Sequence, residues 1–356
     1  MLTTDLAMGG AERTIINLAE CLRERGVRCA VAGLFEGGRG EARCRLEEEG
    51  FQTFCAGLET PRHAWRLWQL RRFVKGWRPD VLHAHLFHGH AAAALLRLTG
   101  LSAPAVWTHH AAPPEAWPLR QAFYRFFSRA AAVQVYVSEA VRDYHHRTAG
   151  VGARESVIHN GIDLEPFLAI EPRPGPVFGA VGRLVPLCKG FDVLIRAFAR
   201  LCRERADISL RIAGDGPDRG ALEELARREG VADRVEFAGF VRDVPAFLAE
   251  VNVFVNPSRW EAFGITLVEG MAAGLPCIAS HVYGLPEVGN GFVRWVTPGD
   301  VNDLHSAMRE AAAAEEHPAR AAAQRRHVAG RFGRERMAQD YLELYRSLTG
   351  RQGTCS

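Results

Sequence analysis

The sequence predicts an α/β protein made of two doubly wound domains, each built on a parallel sheet. Three observations predict it. At 356 residues the chain exceeds one ordinary core and suits two domains of about 150 residues each. Strand-like apolar runs alternate with amphipathic helical stretches along most of its length, the pattern of βαβ units. The stretch DLEPFLAIEPRPGP (163–176) then breaks this alternation with four prolines and no periodicity, and the pattern restarts after it.

In the first domain (1–162), strands are expected at VRCAVAGL (27–34), DVLHAHL (80–86), PAVWTHH (104–110), AVQVYVS (132–138) and ESVIHNG (155–161). The helix AERTIINLAECLRERG (11–26) places Ile15, Leu18, Ala19 and Leu22 on one face and stops at Gly26. Only MLTTDLAM precedes it, so the first strand is expected to be short or the chain to start late. Residues 163–175 form the linker. In the second domain (176–333), strands are expected at 176–182, 208–214, 234–239, 251–257, 276–280 and 292–298, with helices at 191–204, 220–230 and 265–274 and a short one at VPAFLAEV. The final helix, RERMAQDYLELYRSL within 334–350, has no strand after it and is expected to pack back on the first domain. The two domains are expected to face each other across a cleft.

Composition narrows the function. A net charge of +3 is too weak to argue for nucleic acid. Eight cysteines show no CxxC pair or metal-ligand spacing and most sit in apolar segments, which points to a reducing, cytoplasmic setting. No apolar run approaches the roughly 20 residues of a membrane span. The basic residues are nearly all arginine, a bias that a GC-rich genome explains; Lys75 and Lys189 are the two lysines.

Ligands of doubly wound sheets bind at the carboxyl ends of the strands, so unusual residues there are the candidates. After the strand at 176–182 comes GRLVPLCKGF, where Arg183 and Lys189 flank a loop that opens a helix. Two cations with backbone donors suit a diphosphate; a solvated loop is the alternative. GDGP (214–217) adds a glycine turn at Gly214 on the same edge. RWEAFGITLVEG (259–270) sets Glu261 and Glu269 around an apolar run. In one continuous helix the carboxylates would stand roughly 12 Å apart along the axis, beyond the approximately 5–9.5 Å of a glycosidase pair. Glu261 is therefore expected in the loop, with Gly264 at the helix start and Glu269 in the second turn, where the paired hydroxyls of a sugar would satisfy a buried carboxylate.

The first domain offers MGGAER, whose Gly9 and Gly10 let a ligand approach a helix N-terminus or simply make a tight turn. It is not a GxGxxG fingerprint. HAHLFHGH (83–90) and THH (108–110) also stand at strand ends. His83 and His85 share a strand face, but no carboxylate accompanies them, so a polar acceptor cleft with structural histidines is preferred to a metal. Ser138 reads as a helix N-cap. Residues 62–78 mix six cations with three tryptophans; they either line a membrane surface or bury Leu67, Leu70, Val74 and Trp77 on the sheet.

Taken in order, MGGAER, HAHLFH, THH, VSEAVRD, HNGID, VGRL with KG, GDGP, EAFGITLVEGMAAGLPCIAS, GLPEV and TPGD resemble the family 4 retaining glycosyltransferases (glycosyltransferase group 1 type) of the GT-B fold, over nearly the whole chain. The resemblance implies a hexosyltransferase with a nucleotide-sugar donor, UDP-linked most commonly, and no metal or other cofactor. It implies that Arg183 and Lys189 hold the diphosphate and stabilise the leaving nucleotide. Glu269 would accept from the ribose hydroxyls and Glu261 from those of the transferred sugar, whose other edge meets the N–H groups around Phe263, Gly264 and Ile265. Gly9 and Gly10 would approach diphosphate and acceptor, and His110 would stand beside the anomeric carbon, with same-face substitution through an oxocarbenium-like state. The expected acceptor is a glycan or lipid-linked molecule of bacterial surface polysaccharide or glycolipid synthesis, met at the inner face of the plasma membrane. A nucleotide-sugar epimerase or hydrolase of the same fold, or a non-catalytic binding protein, are the alternatives. Three departures stand out: Cys188 lengthens the Arg183–Lys189 loop by one residue, His281 and Tyr283 replace the family's frequent Asp and Gly, and most of the first strand is missing.

Overall fold

The computed structural model describes residues 1–7, 9–35, 40–63, 65–111, 118–149, 154–171, 175–185, 188–314 and 318–350. It divides into two compact units, one of residues 1–162 with 334–356 and one of 163–333.

The first unit is a seven-stranded sheet in the order β3-β2-β1-β4-β5-β6-β7. Its strands are β1 Leu2–Thr3, β2 Ala30–Gly33, β3 Gln52–Cys55, β4 Leu82–His85, β5 Ala105–His109, β6 Val133–Tyr136 and β7 Arg154–Val157. Their connecting helices are α1 Gly10–Glu24, α2 Glu41–Glu48, α3 Arg66–Trp77, α4 Leu86–Leu98, α5 Pro118–Phe127 and α6 Glu139–Ala149. All pairings are parallel. The expected strands appear with shorter ends. β3, between Gly50 and Gly57, is one the pattern did not reveal, and β1 is two residues long.

A parallel sheet covered on both faces needs apolar helices on each side. On one face Leu70 and Val74 of α3 and Ala92, Ala93 and Leu96 of α4 pack with Trp107. On the other, Leu18, Cys21 and Leu22 of α1 meet Met337, Ala338, Tyr341 and Leu342. These last four belong to α15 Arg334–Thr349, the terminal helix, which therefore completes this unit's core. Ser138 accepts from the Val141 N–H at 3.1 Å, capping α6.

The second unit opens with the short helix α7 Glu165–Leu168 and continues as a six-stranded parallel sheet, β10-β9-β8-β11-β12-β13. Its strands are β8 Val177–Val181, β9 Ser209–Ala213, β10 Val235–Gly239, β11 Val253–Asn256, β12 Cys277–Ser280 and β13 Val293–Val296. Helices α8 Phe191–Glu204, α9 Arg219–Arg228, α10 Val244–Leu248, α11 Ile265–Ala272, α12 Leu285–Gly289, α13 Val301–Ala313 and α14 Pro318–Arg331 cover it. The expected helix at 191–204 matches α8 because its apolar residues recur without interruption; eight of its fourteen residues are buried. Among the described residues no helix is long and apolar enough to cross a membrane.

Candidate active site

In the second unit the strand order reverses between β8 and β11, so the loops after these strands diverge and leave the crevice where such sheets bind ligands. Most of the residues expected to act in this unit lie in these two loops. The Cys188 carbonyl accepts from the Arg259 N–H at 2.8 Å and the Trp260 N–H at 3.2 Å, which ties the loops together. Cys188, expected to lengthen the loop, is thus a residue that anchors it.

That anchor brings Lys189 to Glu261, Nζ to Oε2 at 2.6 Å, with both side chains partly buried. Ser258 Oγ donates to the same carboxylate oxygen at 3.5 Å. An ammonium has three N–H donors; the Glu261 contact uses one and fixes the direction of the others. Arg183, on the same loop, is exposed. Behind the loop, Asp192 takes a bidentate grip from Arg259 at 2.7 and 2.9 Å. Burial pushes the Asp192 carboxyl up, but its hydrogen bonds with Arg259 and Arg196 outweigh that and hold it below its ordinary value. Sequence reasoning missed Ser258 and the Asp192–Arg259 pair, since neither carries a motif of its own.

Gly214, after β9, has φ +140, and a methyl group there would overlap the Gly182 carbonyl oxygen. The close approach keeps the loops after β8 and β9 in register, with Leu184 N–H donating to Asp215 O at 2.9 Å. Gly264 caps α11 at φ 102 and ψ 54, the left-handed region. The helix begins at Ile265, so Glu261 lies in the loop and Glu269 in the second turn, 3% exposed. Phe263 is buried with its ring 5.6 Å from that of Phe332, which holds the backbone leading into the helix. Tyr283, at φ 41, places its ring 3.6 Å from that of Trp260. Next to it the Gly284 N–H donates to Glu261 O at 3.2 Å.

In the first unit the order reverses between β1 and β4. Gly9 is the extended N-cap of α1 and Gly10 its first residue. Glu12, in the same first turn, has its carboxyl pushed up to about 7 by burial; nothing in the spacing of MGGAER marks it as a titrating group. At the ends of β4 and β5 six histidines gather: His83, His85, His90, His109, His110 and, from α6, His145. His85 Nδ1 lies 2.9 Å from His110 Nε2. His83 is held by Thr108 Oγ1 at 2.7 Å and by the Tyr345 hydroxyl at 2.6 Å, and Thr108 also bonds Tyr341 at 2.9 Å. Burial lowers His110 and His145 to about 4 and the other four well below their ordinary value. A cavity of about 60 Å³ opens beside His110, His109, His145 and Tyr124. Among the described residues no group of three or more His, Cys, Asp or Glu is arranged to hold a metal ion.

Residues 8–166 match the Glycosyltransferase Family 4 model and residues 175–313 the Glycosyl transferases group 1 model. The chain belongs to the family 4 glycosyltransferases. It is 35% identical over 285 residues to a glycogen synthase of Mycobacterium tuberculosis, covering 75% of this chain and 66% of that one. To the lipopolysaccharide core biosynthesis glycosyltransferase LpsE of Rhizobium meliloti it is 29% identical, over 95% and 96% of the two chains. This glycosyltransferase superposes on a glycosyltransferase from Rickettsia africae with a TM-score of 0.84 at 18% identity, covering 99% and 98%. It superposes on HepE from Anabaena, in complex with UDP and glucose, with a TM-score of 0.81 at 21% identity, covering 97% and 99%. The two parallel-sheet α/β units are those of the GT-B fold. For this glycosyltransferase, the loops after β8 and β11 and the histidine-rich strand ends of the first unit are the candidate machinery.

Proposed function

We propose that this glycosyltransferase takes a hexosyl group from a UDP-sugar and transfers it, with retention and without a metal, to a glycan or lipid-linked acceptor of a bacterial surface polysaccharide or glycolipid. The observation that carries the reading is the Lys189–Glu261 pair at the switch point of the second sheet. A cation oriented by a carboxylate, beside an exposed arginine and glycine turns, is a built anion site suited to a diphosphate. HepE, in complex with UDP and glucose, and LpsE, which acts in lipopolysaccharide core synthesis, support the donor and acceptor classes by similarity.

In this reading Lys189 and Arg183 neutralise the charge that develops on the departing diphosphate, the largest electrostatic demand of the reaction. They supply positive charge where a bound metal would otherwise act. Glu269 receives the ribose hydroxyls, and Glu261 meets the transferred sugar while steering Lys189. The N–H groups at the start of α11 and the glycines at the start of α1 donate to the sugar and the diphosphate. His110, kept neutral by burial, stands beside the anomeric carbon. Trp65, the N-cap of α3, and Trp68 within it are each 59% exposed, next to the cations of 62–78, and this face supports contact with the inner leaflet where a lipid-linked acceptor resides.

Calorimetric titration with UDP-glucose, UDP-galactose and UDP-N-acetylglucosamine tests the donor site. One of them is expected to bind the wild type, with affinity falling at least about ten-fold in Lys189→Ala and in Glu269→Ala, the loss of roughly one charge-assisted hydrogen bond. Unchanged affinity in both variants would sink the donor assignment.

A further inference from the structure

The pair His85 and His110 holds more information than its single hydrogen bond. His85 is fully buried at the end of β4, and its Nδ1 lies 2.9 Å from His110 Nε2. The outer nitrogens, His85 Nε2 and His110 Nδ1, are both buried with no hydrogen-bond partner among the described residues. Behind His85 the His83 ring is 3.9 Å away, centre to centre. His83 is itself clamped by Thr108 and by Tyr345 of α15. The His85 ring is thus fixed in place by a second fixed ring.

Burial keeps both imidazoles neutral at neutral pH, so the pair carries two protons. One occupies the shared hydrogen bond and the other must sit on an outer nitrogen. If His110 donated from Nε2, the remaining proton would lie on His85 Nε2, a donor facing nothing inside the unit. If His85 donates from Nδ1, its Nε2 keeps only a lone pair and the remaining proton moves to His110 Nδ1. Each arrangement leaves one buried N–H without a partner, so the two differ in which ring carries that donor. His85 is 0% exposed, whereas His110 is only partly buried and lines the cavity at the strand ends. The second arrangement moves the uncommitted N–H off the fully buried ring and onto the one that lines the cavity.

We propose that His85 is a positioning residue that fixes His110 as its Nδ1–H tautomer, so that His110 presents a hydrogen-bond donor to the reacting sugar and does not act as a base. The inference rests on the reading that His110 faces the substrate. Its chemistry is specific: an Nδ1–H grips an oxygen lone pair, of a hydroxyl or of the departing phosphate, and cannot accept the acceptor hydroxyl's proton. That proton must then leave to another oxygen, the departing diphosphate being the nearest class available in a same-face substitution. The ring nitrogen that makes the supporting bond decides the state of the other.

The test is long-range ¹H–¹⁵N correlation of the imidazoles in full-length, histidine-labelled protein at pH 7, with His110 assigned by its loss in His110→Gln. Wild type is expected to show His110 Nδ1 protonated and Nε2 unprotonated. His85→Phe keeps ring volume but removes the bond, and is expected to shift His110 toward the Nε2–H form that free histidine prefers. His85→Asn, whose amide N–H can stand where Nδ1–H stood, is expected to retain the wild-type pattern. UDP release from the UDP-sugar that binds is expected to fall about ten-fold in His85→Phe with the donor KM within about two-fold, and to recover in His85→Asn. A wild-type spectrum with Nε2 protonated overturns the proposal even if no variant folds, and so does a His85→Phe spectrum identical to wild type. Full turnover in His110→Gln would instead remove His110 from the site while leaving the tautomer assignment standing.

Discussion

Gly264 shows how closely single residues set this site. Its backbone lies in the left-handed region, and a methyl group on it would overlap the Leu285 side chain. Gly264→Ala therefore combines backbone strain with overpacking and is expected to lower unfolding free energy by about 2 kcal/mol or more, measured by urea titration. A stability change within error would show that the turn relaxes at no cost. The sequence made Gly264, Glu261 and Glu269 legible, because glycine before an apolar helical run marks a helix start and charge is conspicuous in it. It did not reveal Glu12 or the role of Ser258, since a carboxyl in a first turn or a serine in a loop has many ordinary reasons to be there. Nor could spacing alone show that Cys188 ties Lys189's loop to its partner, because that bond is made by a carbonyl which every residue possesses.

At the scale of elements, strands buried on both faces were readable as continuous apolar runs, and α8 as an unbroken helical period. β3 escaped because QTFC offers only Phe54 and Cys55 as apolar residues, and all four of its residues are at most partly buried. α13 and α14 were not anticipated either; α14 carries four arginines and two buried residues, so its apolar stripe is faint. α3 buries one face and leaves the other outside. Leu70 and Val74 are buried against the sheet, while Trp68, with the Arg72 guanidinium 5.8 Å from its ring centre, stays outside. Vesicle co-sedimentation tests the outward face. Wild type is expected to bind vesicles containing anionic phospholipid, and Trp65→Ala/Trp68→Ala to bind several-fold less, with salt weakening both. Failure of the wild type to bind would remove the membrane from the assignment.

For the molecule as a whole, the histidine cluster makes stability depend on acid. His110 and His145 titrate at about 4 when folded and near 6.5 when unfolded. The unfolded chain takes up these protons first, so stability is lost as pH falls from 6.5 toward 4 and levels off below. Each contributes about 1.4 kcal/mol per pH unit in that window, roughly 2 kcal/mol between pH 6.5 and 5. Glu12 runs the other way: its folded pKa of about 7 lies above its unfolded value, so its contribution declines as pH rises from about 4.5 to 7. One carboxyl set against several imidazoles leaves the histidines dominant. Chemical denaturation followed by tryptophan fluorescence is expected to give a higher unfolding free energy at pH 7 than at pH 5, and a flat or inverted profile would contradict the buried, neutral cluster.

The pairing of Lys189 with Glu261 has a practical side. This chain has a single other lysine, Lys75, which lies exposed on α3, and its terminal amine is buried against Ala30. Nearly every other cation is an arginine, inert toward acylating reagents. An amine-directed label thus has two side-chain targets, one on α3 and one on the loop after β8, distinguishable by a single peptide map. The same scarcity that sets Lys189 apart in the sequence makes it individually addressable in the test tube.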